Sequence, residues 1–290
     1  GEYRVLLLGD SFAVGVTPYR LHFLPILEKE LNRIMNPTHN VQTINLGMAS
    51  VDTKTYLKAL EVEGQFYAPD VVILSFFIGN DFNDSYDMLP LNTAVAPSEK
   101  DNLVKLLYTS KLFSLIWNMR KLQRLVYSSR FQVYKKEKPS VLGVLTEEND
   151  EYDPFRPSFK KEEFMNIISY KLNLFKDNGG AYSEFQLVQT NILATKYLSE
   201  KIGARFLVLI IPDELQVNPP LLAEVAGSQG VDVSGLDIAL PQEKLINFFE
   251  SQNIQYIDLL PQFLQAPDPT LLYQPQDTHI NSLGNQEVAN

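Results

Sequence analysis

Short apolar runs that end at or near a glycine or proline constrain the fold of this chain more than any other feature. Five such runs occur, at residues 3–8, 41–46, 70–78, 205–211 and 254–259. Between them lie four patterns typical of helices, at residues 21–35, 53–66, 183–202 and 242–252. A nearly continuous apolar run is typical of a strand buried on both faces. The alternation therefore predicts an α/β protein whose five-stranded parallel sheet is covered by helices through right-handed crossovers.

One long interval interrupts this alternation, between the third strand and the helix near Ser183. Residues 82–182 are too many for a plain connection, so we expect a helical insertion or lid within a single domain spanning residues 1–290. Within it, residues 102–136 contain eight basic residues and no acidic one, although the whole chain has a net charge of −10. We predict substrate contact there through Arg120, Lys121 and Arg124. A packing helix with a basic outer face and a membrane-surface contact are the alternatives.

Composition excludes several kinds of site. The chain has no cysteine, which excludes disulfides, thiolate metal sites and a cysteine nucleophile. Its three histidines are too few for a histidine-rich metal centre, and 35 acidic against 25 basic residues argue against nucleic acid as a partner. We therefore expect no metal and no cofactor. The abrupt start at Gly1 favours a trimmed N-terminus and an extracytoplasmic location.

Small and polar residues follow each of the first three predicted strands. Gly9-Asp10-Ser11 follows the first, Gly47 closes the second, and Gly79-Asn80-Asp81 follows the third. Each group alone is also an ordinary turn or helix cap. In a parallel sheet, however, ligands bind beyond the carboxyl ends of the strands. The N–H groups of Ser11 and Gly47 and the Asn80 amide would there place three donors around one oxygen, as an oxyanion hole requires.

The histidine that can serve a serine nucleophile is identified by its position along the chain. His22 lies within a predicted helix, where a packed or surface role is expected, and His39 lies in a turn away from the carboxyl edge of the sheet. His279 lies in a loop on that edge, with Asp277 two residues before it. A serine hydroxyl needs a base to become nucleophilic, and a carboxylate can orient that base. The pattern therefore predicts Ser11, His279 and Asp277 as a catalytic set.

Together these segments resemble the SGNH hydrolases, the GDSL esterase and lipase superfamily, over essentially the whole chain outside the insertion. The resemblance implies a flavodoxin-like three-layer α/β/α sandwich with strand order 2-1-3-4-5. It also implies that Ser11 is the nucleophile, that Ser11, Gly47 and Asn80 form the oxyanion hole, and that Asp277 orients His279. One departure concerns the acid, because the family usually places two residues between acid and base and here only Thr278 separates them. Some members linked to polysaccharide acetylation have a similar spacing, and Asp258 is a weaker candidate for the acid.

The resemblance implies a serine-dependent ester hydrolase, whether esterase, carbohydrate deacetylase or lipase-like, that forms an acyl-serine intermediate without a metal or cofactor. The Gly-Asp-Ser-Phe start at residues 9–12 and the Pro-Asp-Val-Val segment at residues 69–72 favour an acylated carbohydrate as substrate, with a lipid as the other class. Asp10 and Asp81 are further candidates for substrate contact. An O-acyltransferase acting on a polysaccharide and a catalytically silent glycan-binding module are the two alternatives.

Overall fold

The computed structural model describes residues 1–35, 40–83, 152–177 and 180–290. The strands are β1 (Glu2–Leu8), β2 (Asn40–Asn45), β3 (Val71–Phe77), β4 (Arg205–Ile211) and β5 (Gln255–Asp258). The helices are α1 (Ser11–Val14), α2 (Phe23–Met35), α3 (Thr53–Val62), α4 (Lys161–Ile168), α5 (Phe185–Lys201), α6 (Glu214–Val217), α7 (Pro219–Ser228), α8 (Leu240–Ser251), α9 (Leu260–Gln265) and α10 (Ser282–Ala289). Short 3-10 turns are found at Tyr19–Leu21, Gly64–Tyr67, Ser169–Phe175, Gly180–Tyr182, Val233–Gly235 and Pro269–Leu271.

The five strands form one parallel sheet in the order β2-β1-β3-β4-β5. Pairing runs to the carboxyl ends of the central strands, where Phe77 of β3 lies opposite Ile211 of β4. Parallel pairing brings these ends to one edge of the sheet, so the turns that follow β1, β2 and β3 lie side by side. This edge carries the predicted site.

Alternating side chains of the strands pack into two separate cores. Leu6 of β1 and Leu74 of β3 face one core, which includes buried residues of α3, α4, α5, α7 and α8. Leu7 and Ile73 face the other, which includes buried residues of α1, α2 and α9. Successive strand residues point to opposite faces of a sheet, so burial on both faces requires a helical layer on each side. The result is a three-layer sandwich.

The predicted fold class and strand order are confirmed, and all five strands lie where the apolar runs indicate. Differences at the ends are one or two residues for most elements, and the predicted helix at 53–66 ends at Val62 before a 3-10 turn. Of the predicted insertion, residues 84–151 lie outside the described part of the chain, and with them the whole basic stretch. Among the described helices, none is long and apolar enough to cross a membrane.

Candidate active site

Ser11 is the first residue of the short helix α1, directly after the turn that closes β1. Asp10 caps this helix, because its carboxylate accepts a hydrogen bond from the Phe12 N–H at 2.9 Å. At Gly9, a Cβ atom would lie 2.8 Å from the Cβ of Ala13, so a larger residue would push the helix away from the strand. The tight turn and its cap therefore hold the Ser11 hydroxyl at the carboxyl edge of the sheet.

His279 lies in a hairpin before α10. Tyr273 and Ile280 form an antiparallel bridge that brackets this loop. The Nε2 atom of His279 is 2.8 Å from the Oγ atom of Ser11, although 268 residues separate the two in sequence. The Phe12 ring packs against the imidazole, with 4.9 Å between ring centroids. The histidine selected from the sequence is thus within hydrogen-bonding distance of the serine.

Asp277 is the carboxylate that contacts this histidine. Its Oδ1 atom lies 2.6 Å from His279 Nδ1 and also accepts the backbone N–H of His279 at 3.2 Å. Gln276 has φ of 51°, a left-handed conformation that turns the chain immediately before the acid. The 2.6 Å distance shows that a one-residue separation between acid and base is compatible with direct contact. The alternative, Asp258, instead accepts the backbone N–H of Leu260 at 3.1 Å.

The ionisation of Asp277 determines which imidazole nitrogen carries hydrogen. Burial acts to raise the pKa of the Asp277 carboxyl, but hydrogen bonds from His279 and Ser158 outweigh burial and hold that pKa below its ordinary value. An ionised carboxylate only accepts hydrogen bonds, so Nδ1 of His279 must be the donor. In the neutral imidazole this leaves the Nε2 lone pair facing the Ser11 hydroxyl. Such an arrangement can remove the serine proton.

The three predicted oxyanion donors have different partners. The Ser11 N–H lies in the first turn of a helix, where N–H groups have no acceptor within the helix. Asn80 donates from Nδ2 to Asp10 Oδ2 at 2.9 Å, and its amide carries a second hydrogen. The Gly47 N–H donates to Asn45 Oδ1 at 2.8 Å and can serve an oxyanion only by exchanging that partner. Ser11 and Asn80 thus each have a hydrogen to donate without losing a partner, and the oxyanion roles of Ser11, Gly47 and Asn80 stay predictions.

Asp10 and Asp81 are enclosed by protein, with only 1% and 2% of their surfaces exposed. Burial raises the pKa of Asp10 despite the hydrogen bond that it accepts from Asn80. Asp81 accepts hydrogen bonds from the Tyr56 hydroxyl and the Phe77 N–H, both at 2.9 Å. The expectation that these carboxylates contact substrate does not fit this burial. They hold the loops that follow β1 and β3 in place.

Of the other histidines and basic residues singled out in the sequence, only His22 lies within the described part of the chain. His22 is fully buried, as expected for a packed residue, and precedes α2. The remaining candidates lie outside the described residues: His39, Arg120, Lys121 and Arg124. Among the described residues, no group of three or more His, Asp and Glu side chains is arranged to hold a metal ion.

A buried ion pair beside the site was not anticipated from the sequence. Lys171 Nζ lies 2.6 Å from Asp213 Oδ2, and the two side chains are 3% and 1% exposed. The ammonium group is 4.8 Å from the centre of the Phe77 ring, which stacks on Phe12 next to the nucleophile. Burial also raises the pKa of the neighbouring Glu214 to about 8. Asp213 could have been selected from the sequence, because it follows the carboxyl end of β4. No sequence pattern indicates Lys171, which belongs to the long interval.

Comparison with known proteins gives structural similarity only. No protein-family model and no curated protein matches the chain. Over 99% of its length, the chain is similar to a two-domain esterase active on acetylated mannans, with 11% identity, a TM-score of 0.46 and 47% of that chain covered. It thus spans about half of that esterase. A lipase/acylhydrolase from Enterococcus faecalis matches over 99% of this chain and 91% of its own, with 14% identity and a TM-score of 0.43.

An acetyl xylan esterase also matches over 99% of this chain and 96% of its own, with 12% identity and a TM-score of 0.47. Esterases and lipases are thus among the solved structures to which this chain is similar, at identities and TM-scores too low to transfer an activity.

Proposed function

We propose that this chain is a serine ester hydrolase of the SGNH type. The observation that carries the proposal is the continuous hydrogen-bonded row from Ser11 through His279 to Asp277, with donor–acceptor distances of 2.8 and 2.6 Å. Side chains from opposite ends of the sequence meet here at the edge of the sheet. A module that only binds glycans has no need for this row, which argues against the silent alternative.

In the first half of the proposed reaction, Ser11 Oγ attacks the carbonyl carbon of an ester while its proton passes to His279 Nε2. The carbonyl oxygen becomes negatively charged and accepts hydrogen bonds from the Ser11 N–H and the Asn80 amide. Asp277 stabilises the positive charge on the imidazole. The tetrahedral intermediate then breaks its bond to the alcohol oxygen, which takes the proton from Nε2 and leaves as a free alcohol.

In the second half, water replaces the alcohol. His279 Nε2 takes a proton from this water while the water oxygen attacks the acyl-serine carbonyl. The second tetrahedral intermediate releases a carboxylic acid, and Ser11 Oγ recovers its proton from the imidazole. A sugar hydroxyl in place of water would give acyl transfer by the same steps. The assay is therefore run with and without an added sugar acceptor, and both the released acid and the acylated sugar are measured.

The proposed substrate is an acylated carbohydrate, with an acylated lipid as the competing class. The support is the resemblance of residues 9–12 and 69–72 to SGNH members that act on decorated sugars. Acetylated oligosaccharides and long-chain acyl esters distinguish the two classes, because one tests the alcohol and the other the acyl chain. Release of acetate from the former at a higher kcat/KM supports the carbohydrate assignment, and preference for the latter contradicts it.

The proposed activity is tested by hydrolysis of short-chain and long-chain acyl aryl esters. We expect the native chain to hydrolyse at least one of them and Ser11→Ala to lower kcat by about 10⁴-fold or more, because the nucleophile is gone. The matched control is Ser183→Ala, an exposed serine of the same chain. It should retain the native rate. Equal rates for the native protein and Ser11→Ala would remove the nucleophile from the proposal.

A further inference from the structure

A segment in the later half of the long interval, residues 152–159, lies against the loop that carries the proposed acid and base. We call residues 152–159 the strap and residues 272–282 the acid–base loop. Four polar contacts beyond those of Gln274 join them: Ser282 N–H to the Tyr152 hydroxyl oxygen at 2.9 Å, Asn281 Nδ2 to the Pro154 carbonyl at 3.2 Å, Ser158 N–H to the Pro275 carbonyl at 3.0 Å, and the Ser158 side chain to the Asp277 carboxyl. The strap therefore contacts the loop along most of its length.

Gln274 connects the strap to the turn that bears Asp277 and His279. Its side chain is buried and donates from Nε2 to the Asp153 carbonyl at 3.1 Å and to the Arg156 carbonyl. Its main chain closes the turn, because its N–H donates to the His279 carbonyl at 2.9 Å and its carbonyl accepts the Asp277 N–H at 3.0 Å. One residue thus binds the strap with its side chain and the acid–base turn with its backbone.

Tyr152 completes the connection from the other side. Its hydroxyl donates to Gln274 Oε1 at 3.3 Å and accepts the Ser282 N–H, which belongs to the first turn of α10 and has no acceptor within that helix. The loss of this hydroxyl would leave both partners without a bond that the buried amide and the helix end require. Because the loop also contains a left-handed residue at Gln276, its conformation depends on such external contacts.

We propose that Tyr152 and Gln274 are positioning residues, which hold the acid–base loop so that His279 stays at hydrogen-bonding distance from Ser11. The inference rests on the proposed hydrolase function. It adds that the strap, which belongs to the long interval, helps to hold the active site in place. A displacement of about 1 Å at a reacting group can lower the rate of an enzyme by about 100-fold. The strap opposes displacements of this size through Tyr152 and Gln274 and through the bond from Ser158 to the Asp277 carboxyl.

The test compares Tyr152→Phe, Gln274→Met and the double variant with native protein, using the full chain and an aryl acetate. Phenylalanine removes only a hydroxyl, and methionine keeps the length of glutamine without its amide. We expect each variant to lower kcat about tenfold with KM within about twofold. Because both residues act through one connection, the double variant should lose no more than Gln274→Met alone. Tyr197→Phe, at an exposed tyrosine on α5, is the control and should keep the native kcat.

Rates are expressed per folded molecule, with the folded fraction taken from thermal unfolding. A loss of kcat in Tyr152→Phe at an unchanged folded fraction supports the proposal. A kcat equal to that of Tyr197→Phe, or additive losses in the double variant, overturns it. Ser11→Ala distinguishes failure of the hydrolase function from failure of the positioning role. If Ser11→Ala keeps the native rate, the proposed hydrolase function is wrong. If Ser11→Ala loses its rate while the Tyr152 and Gln274 variants keep the native kcat, only the positioning role is wrong.

Discussion

Two histidines near the nucleophile show how surroundings assign different tasks to one residue type. His279 bonds a carboxylate with one nitrogen and faces a serine with the other. His22 is fully buried, accepts the Leu24 N–H at Nδ1 and contacts the Phe12 carbonyl through Nε2 at 3.3 Å. Since Nδ1 accepts, Nε2 carries the hydrogen and donates to the residue after the nucleophile. His22 thus supports the backbone of the site as a neutral imidazole.

This burial makes His22 a source of acid sensitivity. Burial lowers the pKa of His22 to about 4 despite its bond to the Phe12 carbonyl. In the unfolded chain a histidine takes up its proton near pH 6.5. Between these values the unfolded state binds more protons at this residue. The contribution of His22 to the free energy of unfolding is therefore complete above about pH 6.5 and falls as the pH drops toward about 4. His22→Leu should be less stable at pH 7, yet its free energy of unfolding should fall less over this range. Urea unfolding of the native protein and His22→Leu at pH 7 and 4.5 measures the stability and its change with pH. An equal change for the two proteins would contradict the role of His22 in acid sensitivity.

The acid of the proposed catalytic row can be tested against the other candidate. Asp277→Asn keeps the size of the side chain but cannot hold the imidazole in the tautomer that accepts the serine proton. We expect kcat to fall by about 10³–10⁴-fold with little change in KM. Asp258→Asn should stay within about twofold, because Asp258 accepts the backbone N–H of Leu260 rather than contacting His279. Steady-state kinetics on one aryl ester decides between them, and a larger loss for Asp258→Asn would reverse the assignment.

At the level of elements, the turns after β1, β3 and β4 pack against one another with no spare volume. At Gly79, a Cβ atom would lie 2.3 Å from the Phe77 ring and 2.6 Å from Asp213 Oδ2. Phe77 cannot move away, because it stacks on Phe12 with 3.7 Å between centroids and has Lys171 above its ring. The position of Asn80 therefore depends on the absence of a side chain at the residue before it.

Gly79→Ala should thus lower both stability and activity. We expect a loss of roughly 1–3 kcal/mol in the free energy of unfolding from overpacking, together with a lower kcat because Asn80 is displaced. The matched variant is Gly227→Ala near the end of α7. Among the described residues, no atom beyond its chain neighbours and its own helix backbone lies within 4 Å of the new Cβ. This variant should be neutral or stabilising by up to about 1 kcal/mol. Chemical unfolding of both variants checks this, and similar free energies for the two would show that the turn has room to adjust.

At the scale of the whole molecule, the amino-acid pattern predicted the sheet better than the details of its active edge. The five strands and the edge that carries Ser11 and His279 follow from apolar runs and parallel topology, whereas the strand order was implied by the resemblance to the SGNH hydrolases. The short spacing still allows Asp277 to contact His279, in a loop whose left-handed residue at Gln276 no local pattern indicates. Contacts of Tyr152 and Lys171 could not be predicted either, because they join segments that are distant in sequence and follow a long interval.

The mass of the covalent intermediate tests the role of Ser11 as the nucleophile without relying on rates. The native chain is mixed with an activated aryl ester, quenched in acid within the turnover time and digested for peptide mass analysis. We predict that one acyl group accumulates on the peptide containing Ser11 in the native protein. The corresponding peptide of Ser11→Ala should carry no acyl group. An acyl group on another residue, or one that persists unchanged in Ser11→Ala, would contradict the assignment of Ser11 as the nucleophile.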